Sequence, residues 1–260
     1  MVELTEGERW ARVELERLVE RRFSPAAVAG FLAASFRRSG DVRRARPELT
    51  RQSRRWMAIG AAAWLLPPFR ARARVGLAWW ALTSLMLDWH LGMVETPDGR
   101  PRRLSAAEAL TLARAWLVPV AARAPTPAVI SAAALSDVLD GALARRGKPT
   151  RAGRDLEGLV DACFSAAALL GALRRGAVAP AAVGAELARV GAGFGYALVV
   201  YFGRAGAPDP RVTRAARLTT PVRAAGLIAA GLGRRRLASA LLAAGSAWSV
   251  GSLVYGVRRG

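Results

Sequence analysis

Residues 237–257 run for 21 positions without a charged side chain. A helix needs about 20 apolar residues to cross the hydrocarbon core of a bilayer, so this stretch belongs either in lipid or in a large protein interior. Five more apolar segments precede it, at 106–122, 126–145, 155–173, 179–203 and 219–233, all rich in Ala, Leu, Val and Gly. The fifth is short and carries Arg223. Long apolar runs separated by arginine-rich connections are the pattern of helices in lipid, and no β-strand pattern competes with it.

The charge balance has two readings. Lys and Arg number 39 against 19 Asp and Glu, a net +20. Such an excess suits a protein that neutralises nucleic-acid phosphates. Here, however, the arginines fall between apolar segments, as in the cytoplasmic loops of membrane proteins. The basic stretches 145–154 and 204–218 and the tail Arg258-Arg259 are therefore expected on the cytoplasmic side, and no nucleic-acid partner is expected. The short turn Arg234–Arg236 then faces outward, against the rule. The fourth segment holds Glu186 and Arg189, three apart on one helical face and so able to pair inside a bundle. It also holds Gly191, Gly193 and Gly195, small residues suited to close helix approach.

The first hundred residues differ. Glu8 to Arg22 sets Trp10, Leu15, Leu18 and Val19 among charges, an amphipathic pattern. Ser24-Pro25 supplies a cap and first-turn proline for a second helix, expected to reach about Phe36. Residues 56–69 are apolar but short for a span, and 75–94 form a fuller candidate containing Asp88 and the one histidine, His90. Asp88 and His90 are a weak metal candidate, since a lone histidine on an apolar helix is usually packed and hydrogen-bonded. The tryptophans Trp79, Trp80 and Trp89 suit packing or interface anchoring. The polar stretch 95–103 sets a boundary between a helical N-terminal region, 1–103, and a membrane domain, 104–260. Cys163 is the sole cysteine, so neither an internal disulfide nor a cysteine zinc cluster can form. The charged N-terminus has no signal-peptide pattern.

Residues 137–161 carry the chemistry: DVLDGALARRGKPTRAGRDLEGLVD. Asp137 and Asp140 are three apart on an otherwise apolar helix, and Glu157 and Asp161 are four apart at the start of the next. Helical geometry puts each pair on one face, and a short basic loop lets the two faces meet. Four carboxylates at a membrane surface need a compensating charge. Hard divalent cations such as Mg²⁺ or Mn²⁺ supply one and bind diphosphates. Gly141 and Gly153 allow close approach of a ligand to the backbone, and Arg145 offers positive charge to phosphate. There is no phosphate-binding G-x-x-x-x-G-K-[ST] loop, and only His90 is available for a Ser-His-Asp triad.

This stretch resembles the signature of the CDP-alcohol phosphatidyltransferase family, D-x2-D-G-x2-A-R-x8-G-x3-D-x3-D. Asp137, Asp140, Gly141, Ala144, Arg145, Gly153 and Asp161 match in type and order. Two departures stand out: seven residues separate Arg145 from Gly153, and Glu157 replaces the third aspartate. Thr111-Leu112-Ala113-Arg114 before a Leu-Val-Pro run also looks like the family's first helix.

The resemblance implies an all-α, polytopic protein of the cell membrane, with a six-helix transmembrane core and an added helical N-terminal part. It implies transfer of a phosphatidyl or similar group from a CDP-linked donor to an alcohol, with CMP released at the cytoplasmic face. By the family's pattern Asp137, Asp140, Glu157 and Asp161 hold two Mg²⁺ or Mn²⁺ ions, with Asp161 also the general base. Gly141, Ala144, Arg145 and Gly153 contact the nucleotide and its diphosphate. The implied partners are the lipid donor, the alcohol acceptor and membrane lipids, with a homodimer left open. Glu157 and the shortened loop leave a second reading, an inactive relative serving as a scaffold or lipid-binding partner.

Overall fold

The computed structural model describes residues 6–96, 99–147, 150–200 and 218–259. Among these the chain is helical, without strands; one isolated bridge pairs Glu95 with Pro101. The N-terminal helices are α1 (Glu6–Glu20), α2 (Pro25–Ala45), α3 (Pro47–Ala63), the single turn α4 (Pro67–Arg70) and α5 (Ala73–His90). Then follow α6 (Ala106–Arg123), α7 (Pro127–Gly147), α8 (Arg151–Arg174), α9 (Pro180–Leu198), α10 (Thr220–Gly231) and α11 (Arg235–Arg259). These last six fall on the apolar segments read from the sequence. The basic connection 204–217 lies outside the described residues, as do Lys148 and Pro149 of the loop at 145–154.

One N-terminal expectation is corrected. The second helix does not stop near Phe36 but runs on to Ala45, because the arginines beyond Phe36 are good helix formers. Its start is as read, with Ser24 Oγ accepting from Ala27 N at 3.3 Å and proline in the first turn. The helix in the apolar run 56–69 ends before Pro67. Leu66 precedes Pro67 and is extended (φ −64°, ψ 148°), as the proline ring demands of its predecessor, so α3 ends and α4 begins anew.

The chain divides into two compact units, Met1–Trp116 with Ser136–Asp161, and Leu117–Leu135 with Ala162–Gly260. In the first, tryptophans do much of the packing. Trp64 is fully buried and stacks on Trp116 at 4.4 Å between ring centroids, with Phe69 edge-on to Trp116 at 4.7 Å. The Trp64 ring lies against Gly76 and the Trp80 ring against Gly60, where a Cβ would stand 2.2 and 2.1 Å from ring atoms. Three tryptophans use the indole N–H: Trp79 donates to Ala115 O, Trp80 to Met57 O and Trp116 to Gly60 O. Phe36 meets Trp89 edge to face at 5.3 Å.

The polar stretch after α5 is held by side chains from α3 and its cap. Arg46 donates to Leu91 O and Val94 O, both at 3.1 Å, and to Arg102 O at 2.5 Å. Burial lowers the pKa of this guanidinium, opposed by the charge of Glu95. Gln52 donates to Leu104 O at 2.8 Å and accepts from Leu104 N at 3.1 Å, so Leu91, Val94, Arg102 and Leu104 are all held by these two side chains.

The second unit has inverted polarity. Glu186 is 1% exposed at the centre of α9, yet Leu187 beside it is 59% exposed. Glu186 accepts from Arg189 Nε at 3.0 Å, Arg223 Nε of α10 at 2.5 Å and Ser246 Oγ of α11 at 2.9 Å. The pairing of Glu186 with Arg189 is thus present, and three helices share it. Phe194 and Trp248 point outward. Polar groups inside with large apolar groups outside suit lipid, not water, as the surrounding medium. The close-approach reading of Gly191, Gly193 and Gly195 is corrected: among the described residues a Cβ at any of them would meet nothing within 4 Å. Among the described residues, two helices are long and apolar enough to cross a membrane by length and composition, Arg151–Arg174 and Arg235–Tyr255.

Candidate metal centre

The site lies within the first unit, on the first half of α6, the end of α7 and the start of α8. Helix α6 opens on a capping box. Ser105 Oγ accepts from Ala107 N at 3.2 Å, and Glu108 Oε2 accepts from Ser105 N at 2.8 Å and from its hydroxyl. The other Glu108 oxygen accepts from Thr150 Oγ1. That hydroxyl in turn caps α8 by accepting from Gly153 N at 2.9 Å. Glu108 and Thr150 are both buried, so one closed hydrogen-bond chain ties the start of α6 to the start of α8.

Gly153 is needed at this junction. A Cβ there would lie 2.9 Å from Thr150 Oγ1 and 3.0 Å from Glu108 Oε1. Its missing side chain makes room for the brace, whatever it also does for a nucleotide. The N-terminal region reaches the same turn. Glu8 of α1 pairs with Arg151, with Arg154 Nη2 3.8 Å from the same oxygen, and Arg151 N donates to Glu95 O at 3.2 Å.

One turn further along α6, Thr111 Oγ1 donates to Asp140 Oδ2 at 3.2 Å. One turn beyond that stands Arg114. Its Nη1 donates to Asp137 Oδ1 at 2.5 Å and lies 3.1 Å from Asp161 Oδ1, and its Nη2 donates to Asp140 Oδ2. A single planar guanidinium thus joins both aspartates of α7 to one of α8, a geometry its five-donor fork suits.

The structure gathers three of the four signature acids. Asp137, Glu157 and Asp161 each offer an oxygen, and these lie within 4.8 Å of one another. Oxygens sharing one Mg²⁺ at about 2.1 Å each are at most about 4.2 Å apart, so small side-chain movements would close the set. The donors are hard carboxylate oxygens that suit Mg²⁺ or Mn²⁺, and the residues present fit such an ion. Asp140 stands apart from this group, buried at 3% exposure and held by Arg114 and Thr111. Gly141 follows it on α7. The side chains of Ala144 and Arg145 lie outside the described residues.

The weaker metal candidate finds other partners. Asp88 pairs with Arg43 at 2.8 Å, and His90 Nδ1 donates to Met86 O at 2.6 Å. Both serve packing in the N-terminal helices. Sequence reasoning did not single out Glu108, Thr150 or Glu8, and quoted Arg114 only as part of the first-helix resemblance. The pattern Ser105-x-x-Glu108 before an apolar run was an available signal, since it spells a capping box.

Among the described residues the chain is helical, with large apolar side chains facing outward and a carboxylate group that could hold a divalent ion. Within it, the family model of the CDP-alcohol phosphatidyltransferases matches residues 104–250, and the chain belongs to that family. Its members are membrane proteins, and they transfer a phospho-alcohol group from a CDP-linked donor. No curated protein and no solved structure matches the chain.

Proposed function

We propose that this chain is a multi-pass enzyme of the cell membrane that transfers a phosphatidyl or similar group from a donor such as CDP-diacylglycerol to an alcohol. The observation that carries the reading is the meeting of Asp137, Glu157 and Asp161 inside the family-matched region. Asp137, Asp140, Glu157 and Asp161 would hold divalent Mg²⁺ or Mn²⁺, two ions by the family's pattern. When bound, such ions neutralise the diphosphate and stabilise the charge that develops on the leaving group.

The chain's own residues supply the rest. Asp161, side chain 42% exposed, is open to an acceptor and takes the proton of its hydroxyl. The acceptor oxygen forms a bond to the phosphorus nearest the lipid, and the bond from that phosphorus to the CMP oxygen breaks. Gly141, Ala144, Arg145 and Gly153 are the proposed nucleotide contacts. The inverted polarity around Glu186 and the two spanning-length helices support a membrane domain over 104–260, with a six-helix core. The basic loops support a cytoplasmic active site. Residues 1–103 form the added helical region, placed against the start of α8 through Glu8 and Arg151.

A second reading keeps a specific observation behind it. Glu157 and the shortened loop depart from the family signature, and an inactive scaffold would share every other feature. Release of CMP from CDP-diacylglycerol by the purified chain, with a panel of acceptor alcohols and with or without a chelator, decides between them. Chelator-sensitive release with one acceptor is the expected result. Metal-replete protein that releases no CMP with any CDP-linked donor would favour the scaffold.

A further inference from the structure

Arg114 and any ion held by the site draw on the same carboxylates. The guanidinium touches Asp137, Asp140 and Asp161, and two of these also belong to the three-acid group of Asp137, Glu157 and Asp161. The aspartates are not equivalent. Asp140, with a side chain 3% exposed, is buried with Arg114, whereas Asp137 and Asp161 are 35% and 42% exposed. The buried contact, backed by Thr111, can pin the guanidinium while its contacts to the two accessible aspartates exchange.

We propose that Arg114 is a resident counter-cation that competes with divalent ions for Asp137 and Asp161 and so makes full metal loading depend on arrival of the donor's diphosphate. This rests on the metal-dependent reading above and concerns how that site is filled. The charge count carries the argument. Four carboxylates bring four negative charges, and Arg114, always protonated, removes one. One divalent ion leaves the cluster at minus one. A second turns it positive, which is costly away from bulk water. A diphosphate diester carries one negative charge on each phosphorus and returns the total to minus one. Without Arg114, two ions would balance the four acids with no donor present.

The test is Mn²⁺ binding to the full-length protein in detergent, read by electron paramagnetic resonance, with CDP as the diphosphate probe. In the wild type CDP should tighten Mn²⁺ binding by about tenfold or more, the size of a typical coupling between sites. In R114Q, Mn²⁺ should bind about tenfold tighter without CDP, and the CDP effect should shrink to about threefold or less. R114K keeps the charge and should keep the CDP effect within about threefold of wild type. R114Q binding Mn²⁺ no tighter than wild type would overturn the proposal, because Arg114 would then only organise the acids. Should R114Q fail to fold, loss of the CDP effect in R114K overturns it equally. Absence of Mn²⁺ binding to the wild type, with and without CDP, would instead sink the metal-dependent reading itself.

Discussion

Replacing Gly153 with alanine tests whether this signature glycine serves the helix brace or only the nucleotide. The added Cβ would sit 2.9 Å from Thr150 Oγ1 and 3.0 Å from Glu108 Oε1, against 3.4 Å for ordinary contact, so the two oxygens must retreat by about 0.5 and 0.4 Å. The first retreat stretches the cap from Gly153 N to Thr150 Oγ1, now 2.9 Å, toward about 3.4 Å, where little of it survives. Overpacking costs about 1–3 kcal/mol and loss of a cap about 1 kcal/mol, while alanine regains up to about 1 kcal/mol of helix propensity. The expected net loss is about 2 kcal/mol, read as unfolding free energy by SDS titration in mixed micelles.

The double variant identifies the cause. Thr150→Ala alone should cost about 1 kcal/mol as a lost cap, yet in that background Gly153→Ala should be close to neutral, a coupling of about 1–2 kcal/mol. Mn²⁺ affinity should fall in Gly153→Ala and recover in part in the double variant, because Glu157 and Asp161 ride on the same helix. Additivity within about 0.5 kcal/mol would refute the steric argument. So would a Gly153→Ala protein of normal stability and Mn²⁺ affinity that has lost only CDP binding.

Two further outcomes follow from the same geometry. Glu157→Asp restores the family residue but shortens the reach by about one carbon–carbon bond, so Mn²⁺ affinity and CMP release should fall, and one residue inserted between Arg145 and Gly153 should partly restore them. A rise in turnover with Glu157→Asp alone would show that the shortened loop and the longer side chain do not compensate. Glu186→Gln leaves the partly buried Arg189 and Arg223 without their shared carboxylate and should cost about 2 kcal/mol in the same SDS titration. An unchanged unfolding free energy would mean that solvent or lipid phosphate, not Glu186, neutralises the two arginines.

Much of the helical layout was legible because apolar segments and polar connections alternate. The breaks at Ser24-Pro25 and Pro67 have local causes, in a side-chain cap and in the proline ring. The acids of the signature were legible as helical pairs for the same reason, since spacings of three and four put them on one face. What escaped was long-range. Trp64 and Trp116 stack across 52 positions of sequence, and nothing local marks either as the other's partner. Gly191, Gly193 and Gly195 fit a close-packing pattern, but the pattern does not say which face of α9 meets a neighbour. Charge and spacing treat Asp140 like Asp137, but the two differ in burial, which depends on where Arg114 and Thr111 arrive from another helix.

Helix α6 carries none of the four signature acids, yet it arranges both acid pairs. Glu108, Thr111 and Arg114 follow one another at intervals of three, so they descend one stripe of the helix. Glu108 fixes where α8 begins through Thr150, Thr111 holds Asp140 on α7, and Arg114 joins α7 to α8 through three aspartates. The first contact acts on helix position, the second on one buried acid, and the third on charge. Substitutions down this stripe should therefore separate functions that substitutions of the acids themselves confound. A change at Glu108 should shift stability and metal affinity together, whereas a neutral side chain at Arg114 should move them in opposite directions, with the link between α7 and α8 loosened and the ions bound more tightly. That divergence arises because Glu108 carries charge of the same sign as the acids and acts at a distance from them. Arg114 carries the opposite charge and sits among them.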